Sequence, residues 1–263
     1  FTAARGRNAG FEALRRSCPD LEYVQFMDGD CEIDPDWVPV ATRFLDENPG
    51  VAIACGRRRE SQPEASIFNR MCDWEWDTQV GDTRACGGDA LVRVSAFERV
   101  GGFDPTLIAG EEPELCVRLR QAGWRVWRLD AEMTVHDAAM TRLSQWWRRA
   151  VRGGHARAEG VALHGASPER HGARETLRAL FWGLVLPAAV IIGVVLFGAK
   201  GLVLLAVYPL QVARLAARGE RSERVGWERA SLLTAVNFPE VLGMCSYWFS
   251  RLTRRPQGLI EYK

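Results

Sequence analysis

Residues 179–199 carry no charged side chain, and about 20 consecutive apolar residues are enough to cross the hydrocarbon core of a bilayer. Few features restrict a chain more. Such a stretch either spans a membrane or lies buried in a core large enough to surround it. Pro187 is acceptable in a span, because neighbouring groups can re-satisfy the backbone carbonyl that it frees. Gly198-Ala199-Lys200-Gly201 then reads as a short turn. Residues 201–213 continue apolar until Arg214, whose long side chain can snorkel from near a helix end. The expectation is a transmembrane helical hairpin over residues 179–217. Arg170, Arg174 and Arg178 stand before it and Arg218, Arg221 and Arg224 after it, against Lys200 in the turn. The positive-inside bias then puts both ends in the cytoplasm and the turn outside. Residues 154–178 read as an interfacial linker. Residues 218–263 read as cytoplasmic or interfacial amphipathic helices with a basic tail, Arg251, Arg254 and Arg255, suited to anionic headgroups. Within them, Asn237, Pro239 and Glu240 interrupt a third apolar stretch over 230–250, which favours an interfacial or re-entrant helix pair over a further span.

The part before the hairpin has a different texture. The chain has 263 residues with 34 basic and 33 acidic side chains, so its net charge gives no ground for nucleic-acid binding. Cysteines 18, 31, 55, 72, 86, 116 and 245 form no C-x-x-C pair and are odd in number. Scattered thiols of this kind suit a reducing compartment and behave mostly as small core hydrophobes, with no zinc site.

Residues 21–26 alternate as a buried strand does. Asp28-Gly29-Asp30 follows, two carboxylates one residue apart beyond the strand's carboxyl end, where open α/β sheets bind ligands. Such a pair can hold a hard divalent cation, and through it a diphosphate; alternatively it is an acidic turn closing the strand. Residues 8–16 read as a helix. Asp34 as N-cap and Pro35 at the first position predict a second, running to about Glu47. A strand over 51–55 and a helix over 66–77 come next, with Trp74 and Trp76 either lining a cleft or filling a core. Cys86-Gly87-Gly88-Asp89 precedes a strand over 90–94 and a helix over 95–100, and Gly101-Gly102-Phe103-Asp104 is a tight turn. Glu111 and Glu112 open a helix that Gly123 ends. A strand over 124–129 follows, with His136 in a polar connection. Strands alternating with helices predict an α/β domain. Residues 140–151 place Met140, Leu143, Trp147 and Val151 on one stripe, for a helix in the headgroup layer or one packed on the domain.

Taken together, Arg7-Asn8-Ala9-Gly10, Asp28-Gly29-Asp30, Gly87-Gly88, Gly101-Gly102-Phe103-Asp104, Gly110-Glu111-Glu112 and His136 resemble the family 2 glycosyltransferases over roughly residues 5–150. The resemblance implies an inverting, metal-dependent enzyme of the GT-A fold, often membrane-bound. It implies that Asp28 approaches the donor's ribose and the metal, that Asp30 ligates Mn²⁺ or Mg²⁺, and that His136 is a further metal or diphosphate contact. Arg7 and Asn8 match the segment near the nucleotide. Glu112, beside Glu111, stands where the family has its catalytic Asp. With the anchor, this implies a multi-pass protein of the cell inner membrane with its catalytic domain (residues 1–153) on the cytoplasmic face. The partners would be a nucleotide-sugar donor, a glycan or lipid-linked acceptor, and membrane lipids.

The departures are specific. Glu112 is one methylene longer than Asp. Its place at a helix N-terminus is also a plain structural preference, worth about 0.3–1 kcal/mol. Gln145-Trp146-Trp147-Arg148-Arg149 only partly matches the Q-x-x-R-W of processive members. The family's first strands have no counterpart before Phe1, so an N-terminally truncated domain is expected. The expected reaction moves a sugar from a nucleotide donor to a hydroxyl acceptor in polysaccharide or lipid-linked glycan synthesis. Two alternatives stand beside it: a polyprenyl-phosphate sugar synthase, and a catalytically silent, membrane-anchored assembly subunit.

Overall fold

The computed structural model describes residues 2–218 and 223–254. They form two compact units that divide between Arg142 and Leu143.

The first unit is α/β. Helix α1 (Ala3–Ser17) is capped by Thr2, whose side chain accepts from the Arg5 amide. Ala4 and Phe11, two turns apart, form its buried face. Strand β1 (Tyr23–Phe26) alternates as expected, turning Val24 and Phe26 inward. Strand β2 (Cys31–Ile33), helix α2 (Trp37–Glu47) and strand β3 (Val51–Glu60) follow. Next come helix α3 (Ile67–Trp76), strand β4 (Gly81–Asp82), strand β5 (Ala90–Arg93) and helix α4 (Val94–Arg99). Helix α5 (Glu111–Gln121) and strand β6 (Arg125–His136) complete the unit. The sheet order is β1-β5-β3-β6-β2, with β4 pairing the outer part of β6. Only β3 and β6 run parallel; the other pairings are antiparallel. Strand β3 is buried over most of its length, as a central strand must be. Phe11, Phe26, Phe97 and Phe103 pack one face as a ring cluster, with centroids 4.8 to 5.3 Å apart. Edge-to-face pairs of this kind contribute about 0.5–1.5 kcal/mol each beyond burial.

Several boundaries differ from the sequence reading. Helix α2 begins at Trp37, not at Asp34-Pro35. Asp34 instead closes a turn, its carboxylate accepting from the Asp36 amide at 2.9 Å and its carbonyl from the Trp37 amide at 3.1 Å. Strand β3 continues past Cys55, and β6 continues past Leu129 to His136, which is therefore a strand residue and not part of a connection. Charge hid both extensions. Arg57 is buried against Asp73 of α3, and Arg59 pairs with Glu132 across the two strands, so the charged residues there find partners in the fold. Met140 lies before the next helix, held in the first unit by Ser66 Oγ on its carbonyl and Asn69 Oδ1 on its amide, and so leaves the proposed stripe.

The second unit is helical. Helix α6 (Leu143–His164) runs unbroken through residues 153 and 154, where the sequence reading ends the domain. Helix α7 (Ala173–Leu180) passes through a wider π turn (Phe181–Val185) into helix α8 (Leu186–Phe197). The chain reverses at Gly198, with φ 62°, and tighter 3₁₀ turns (Gly198–Ala206) lead into helix α9 (Val207–Ala216). The returning leg packs on the outgoing one: Gly201 lies against Gly193, and the Tyr208 hydroxyl donates to the Trp182 carbonyl at 2.8 Å. Among the described residues, Ala173–Ala216 is the stretch long and apolar enough to cross a membrane, and only 17% of its most apolar window is buried. Helices α10 (Glu223–Ala235) and α11 (Asn237–Thr253) divide the third apolar stretch. Helix α11 crosses α6 backbone to backbone. Gly154 faces the Glu240 carbonyl and Gly243 the Val151 carbonyl, and a β-carbon on either would collide. Glu240 is buried in that crossing and forms an ion pair with Arg157 at 2.6 Å. Arg221 and Arg255 of the basic flanks lie outside the described residues.

Candidate active site

The motifs of the first unit converge at the carboxyl end of β1. Asp28 follows that strand, and its amide donates to Asp89 Oδ1 at 2.9 Å. Asp89 is 1% exposed and accepts at its other oxygen from Thr134 Oγ1 at 2.7 Å and from the Cys31 thiol at 3.2 Å. Arg58 Nε lies 3.3 Å from that same oxygen. Asp89 thus ties the end of β1 to β2, β3 and β6. The site depends on it, and the sequence reading left it as a strand's first neighbour. A carboxylate after two glycines and directly before an apolar strand was the available signal, because a buried charge needs such partners.

Both oxygens of Asp28 are engaged, one by Arg7 at 2.7 Å and the other by Arg58 at 2.8 Å. Burial alone would raise the Asp28 carboxyl. The hydrogen bond and charge of Arg58, then the charges of Arg7 and His136, outweigh burial and hold it below the usual aspartate value. Arg58 was not foreseen. It stands near the end of β3, in a strand extension that its own charge obscured.

Asp30 is 42% exposed at its side chain, and its Oδ1 lies 3.3 Å from His136 Nε2. The register explains the meeting, since Cys31 and His136 are paired residues of β2 and β6. The ligand atoms of Asp28, Asp30, Cys31 and His136 all lie within 4.8 Å of one another. Burial, the largest influence, pushes the Cys31 thiol up to about 12, so at neutral pH it is a neutral S–H. Its sulfur is also engaged by Asp89 and Arg58. Two carboxylates and an imidazole remain, a donor set that fits Mn²⁺ or Mg²⁺. Trp76 flanks the set, edge-on to the His136 ring at 4.8 Å and with its face under the Arg58 guanidinium at 4.8 Å. Gly88 closes the other side. A β-carbon there would stand 2.6 Å from Asp28 Oδ2, so only glycine allows the loop this approach.

Arg7 carries the cluster across to helix α5. Its second nitrogen donates to Glu112 at 2.6 Å and to Glu111 at 3.0 Å. The nitrogen that binds Asp28 also donates to the Gly88 carbonyl at 3.3 Å. Glu111 is buried, and Glu112 keeps part of its side chain in solvent. Asn8 is placed differently. Its amide group pairs in both directions with the Phe103 backbone, at 2.8 and 3.0 Å, and so fixes the Gly-Gly turn to α1 one residue from Arg7. Among the foreseen residues, Arg7, Asp28, Asp30, Glu111, Glu112 and His136 come together, and Asn8 stands beside them.

Residues 1–100 match the family described as "Glycosyl transferase family 2". That match covers 100 of the 263 residues, all within the first unit. The chain is 34% identical, over 34% of its own length and 27% of the other, to the succinoglycan biosynthesis protein ExoA of Rhizobium meliloti (strain 1021). It is 28% identical to glucomannan 4-beta-mannosyltransferase 2 of Arabidopsis thaliana, over 43% of this chain and 23% of that protein. A pre-mycofactocin glycosyltransferase of Mycobacterium tuberculosis is 43% identical over 25% of this chain and 14% of its own. The chain therefore matches about a quarter of the length of the first two. Among solved structures, the mannosyltransferase PcManGT of Pyrobaculum calidifontis, in complex with GDP-Man and Mn²⁺, aligns over 93% of this chain and 65% of its own. That pair shares 17% identity, with a TM-score of 0.43. S. aureus TarS aligns over 95% and 43% at 14% identity and a TM-score of 0.45. Likeness at that level carries no argument about substrate.

Proposed function

We propose that this chain is a membrane-bound inverting glycosyltransferase of GT-A type, moving a sugar from a nucleotide-sugar donor to a hydroxyl acceptor in glycan synthesis. The observation that carries this is the shared guanidinium of Arg7. It joins Asp28 of the D-x-D to Glu112 of the acidic helix start, so the two chemical needs of transfer lie within one side chain's reach. One need is to stabilise the charge that develops on the departing nucleotide diphosphate. Asp28, Asp30 and His136 would hold Mn²⁺ or Mg²⁺, which supplies that stabilisation when bound. The other is to take the acceptor hydroxyl's proton as it attacks from the opposite face of the sugar. Glu112 is the base in this reading, and Glu111 beside it helps to hold Arg7. A positioned base contributes about 10²- to 10⁴-fold. Arg58 and Arg7 keep Asp28 ionised, ready for a cation or for the donor's ribose.

The apolar stretch Ala173–Ala216, doubled back at Gly198 and largely uncovered, supports anchoring of the second unit in a bilayer as a helical hairpin. The relatives named for succinoglycan, glucomannan and mycofactocin chemistry support glycan synthesis as the setting.

The test is Mn²⁺-dependent nucleotide release from a panel of nucleotide sugars by membranes containing the protein, beside Asp30→Asn. Release from one donor that falls sharply in the variant at the same Mn²⁺ concentration supports the reading; release indifferent to Asp30 or to the metal overturns it.

A further inference from the structure

Seven free thiols are spread over the chain, with Cys18 and Cys245 exposed and Cys31, Cys55, Cys72 and Cys116 buried. Cys86 is half-buried and differs from the rest in its neighbour. Its sulfur lies 3.6 Å from that of Cys116. The two come from elements that meet again at Arg7. Cys86 opens the loop Cys86-Gly87-Gly88, and the Gly88 carbonyl accepts from Arg7. Cys116 stands on α5 one turn beyond Glu112, which accepts from the same arginine. The two glycines make the loop the yielding partner, Gly87 having a φ of 76°. Helix α5 is the fixed partner, since Leu115, Cys116 and Leu119 are packed in the core. The sulfurs need to approach by about 1.5 Å to reach bonding distance, a movement that falls on the loop.

We propose that Cys86 and Cys116 form a reversible modification site, oxidised by a hydroperoxide to an intramolecular disulfide that clamps the Gly87-Gly88 loop onto α5 beside the carboxylate cluster. The sulfur of Cys86, the half-buried member of the pair, attacks the peroxide O–O bond. This releases one water (or the alcohol of an organic peroxide) and leaves a sulfenic acid. The Cys116 sulfur then attacks the Cys86 sulfur and expels a second water as the S–S bond closes. The two thiols lose two electrons and two protons, and the peroxide takes up both. A thiol reductant reverses the step by exchange. In a reducing compartment disulfides are mostly transient and redox-sensing, which suits a pair held close as free thiols.

The experiment uses the full chain carrying Cys18→Ser and Cys245→Ser, treated with hydrogen peroxide, quenched, digested with trypsin and read by mass spectrometry. The expected product joins peptide 85–93 to peptide 100–118, disappears on reduction and is absent from Cys86→Ser. Amide hydrogen exchange across residues 86–89 is expected to slow at least threefold in the oxidised form and to recover with reductant. Oxidation that leaves both peptides unlinked, or a link that leaves exchange in the loop unchanged, overturns the proposal. The consequence for turnover rests on the sugar-transfer reading: nucleotide release is expected to fall about tenfold on oxidation and return on reduction. A chain that forms the link yet shows no turnover even when reduced counts against that reading and leaves the disulfide standing.

Discussion

Arg7 and Asp28 stand 2.7 Å apart although 21 positions separate them in sequence, and the arginine's other nitrogen is held by Glu111 and Glu112. A buried guanidinium between carboxylates from two motifs makes each motif's position depend on the other. Arg7→Ala would leave the carboxylates of Asp28, Glu111 and Glu112 without their shared cation and is expected to cost about 1–3 kcal/mol of stability. Arg7→Lys keeps the charge but loses the fork that reaches both sides. It is expected to recover part of that stability and little of the transfer. Urea unfolding of both variants measures this, and a lysine variant as stable and active as the parent would remove the bridging role.

Glu112→Gln preserves shape and a hydrogen bond to Arg7 but cannot take a proton. Transfer is expected to fall by about 10²- to 10⁴-fold, with donor binding by calorimetry little changed. Glu111→Gln, on the buried member, is expected to lower stability more than its share of rate. A reversal of the two phenotypes would exchange their roles.

His136→Ala and Asp30→Asn both remove proposed ligands while leaving the β2–β6 ladder in place. Each is expected to raise the Mn²⁺ concentration for half-maximal activity by about tenfold or more. Thr134→Val, which unties Asp89 from β6, acts one step further out and should shift the same titration less. An unchanged midpoint for His136→Ala would exclude it from the metal.

The Asp28 carboxyl is held below its ordinary value of 3.8, so its ion pairs stabilise the fold above that pH. As pH falls through the lower folded value, protonation removes that contribution. Thermal unfolding of the parent should therefore decline more steeply than that of Asp28→Asn in the acid range below about pH 4. Parallel curves would show that Asp28 gains nothing from its arginines.

Much of the polar cluster was legible in the sequence because its residues sit where periodicity breaks. Asp28 and Asp30 were found at the end of an alternating run, and Glu111 and Glu112 at a helix start, since both boundaries are locally encoded. Arg58, Asp89 and Thr134 were not, because each lies in or against a strand whose charged residues defeat the alternation test and whose partners come from distant strands. His136 was named while its element was missed: the residues between Leu129 and His136 look like a loop until β3 is seen beside them. The reversal at Gly198 was visible as a glycine-rich turn. The backbone crossing of Gly154 and Gly243 was not, because nothing local says which helices will touch.

The pairing of Cys31 with His136 turns strand register into a ruler for the site. Because side chains alternate faces along a strand, one residue inserted within β6 before His136 would swing its imidazole to the opposite side of the sheet while leaving the ladder intact. The same insertion after Met140, which Ser66 and Asn69 hold in the first unit, would fall in the connection to α6. Length changes in descendants of this chain should thus accumulate on one side of a single position, with no tolerance for odd-numbered insertions or deletions on the other.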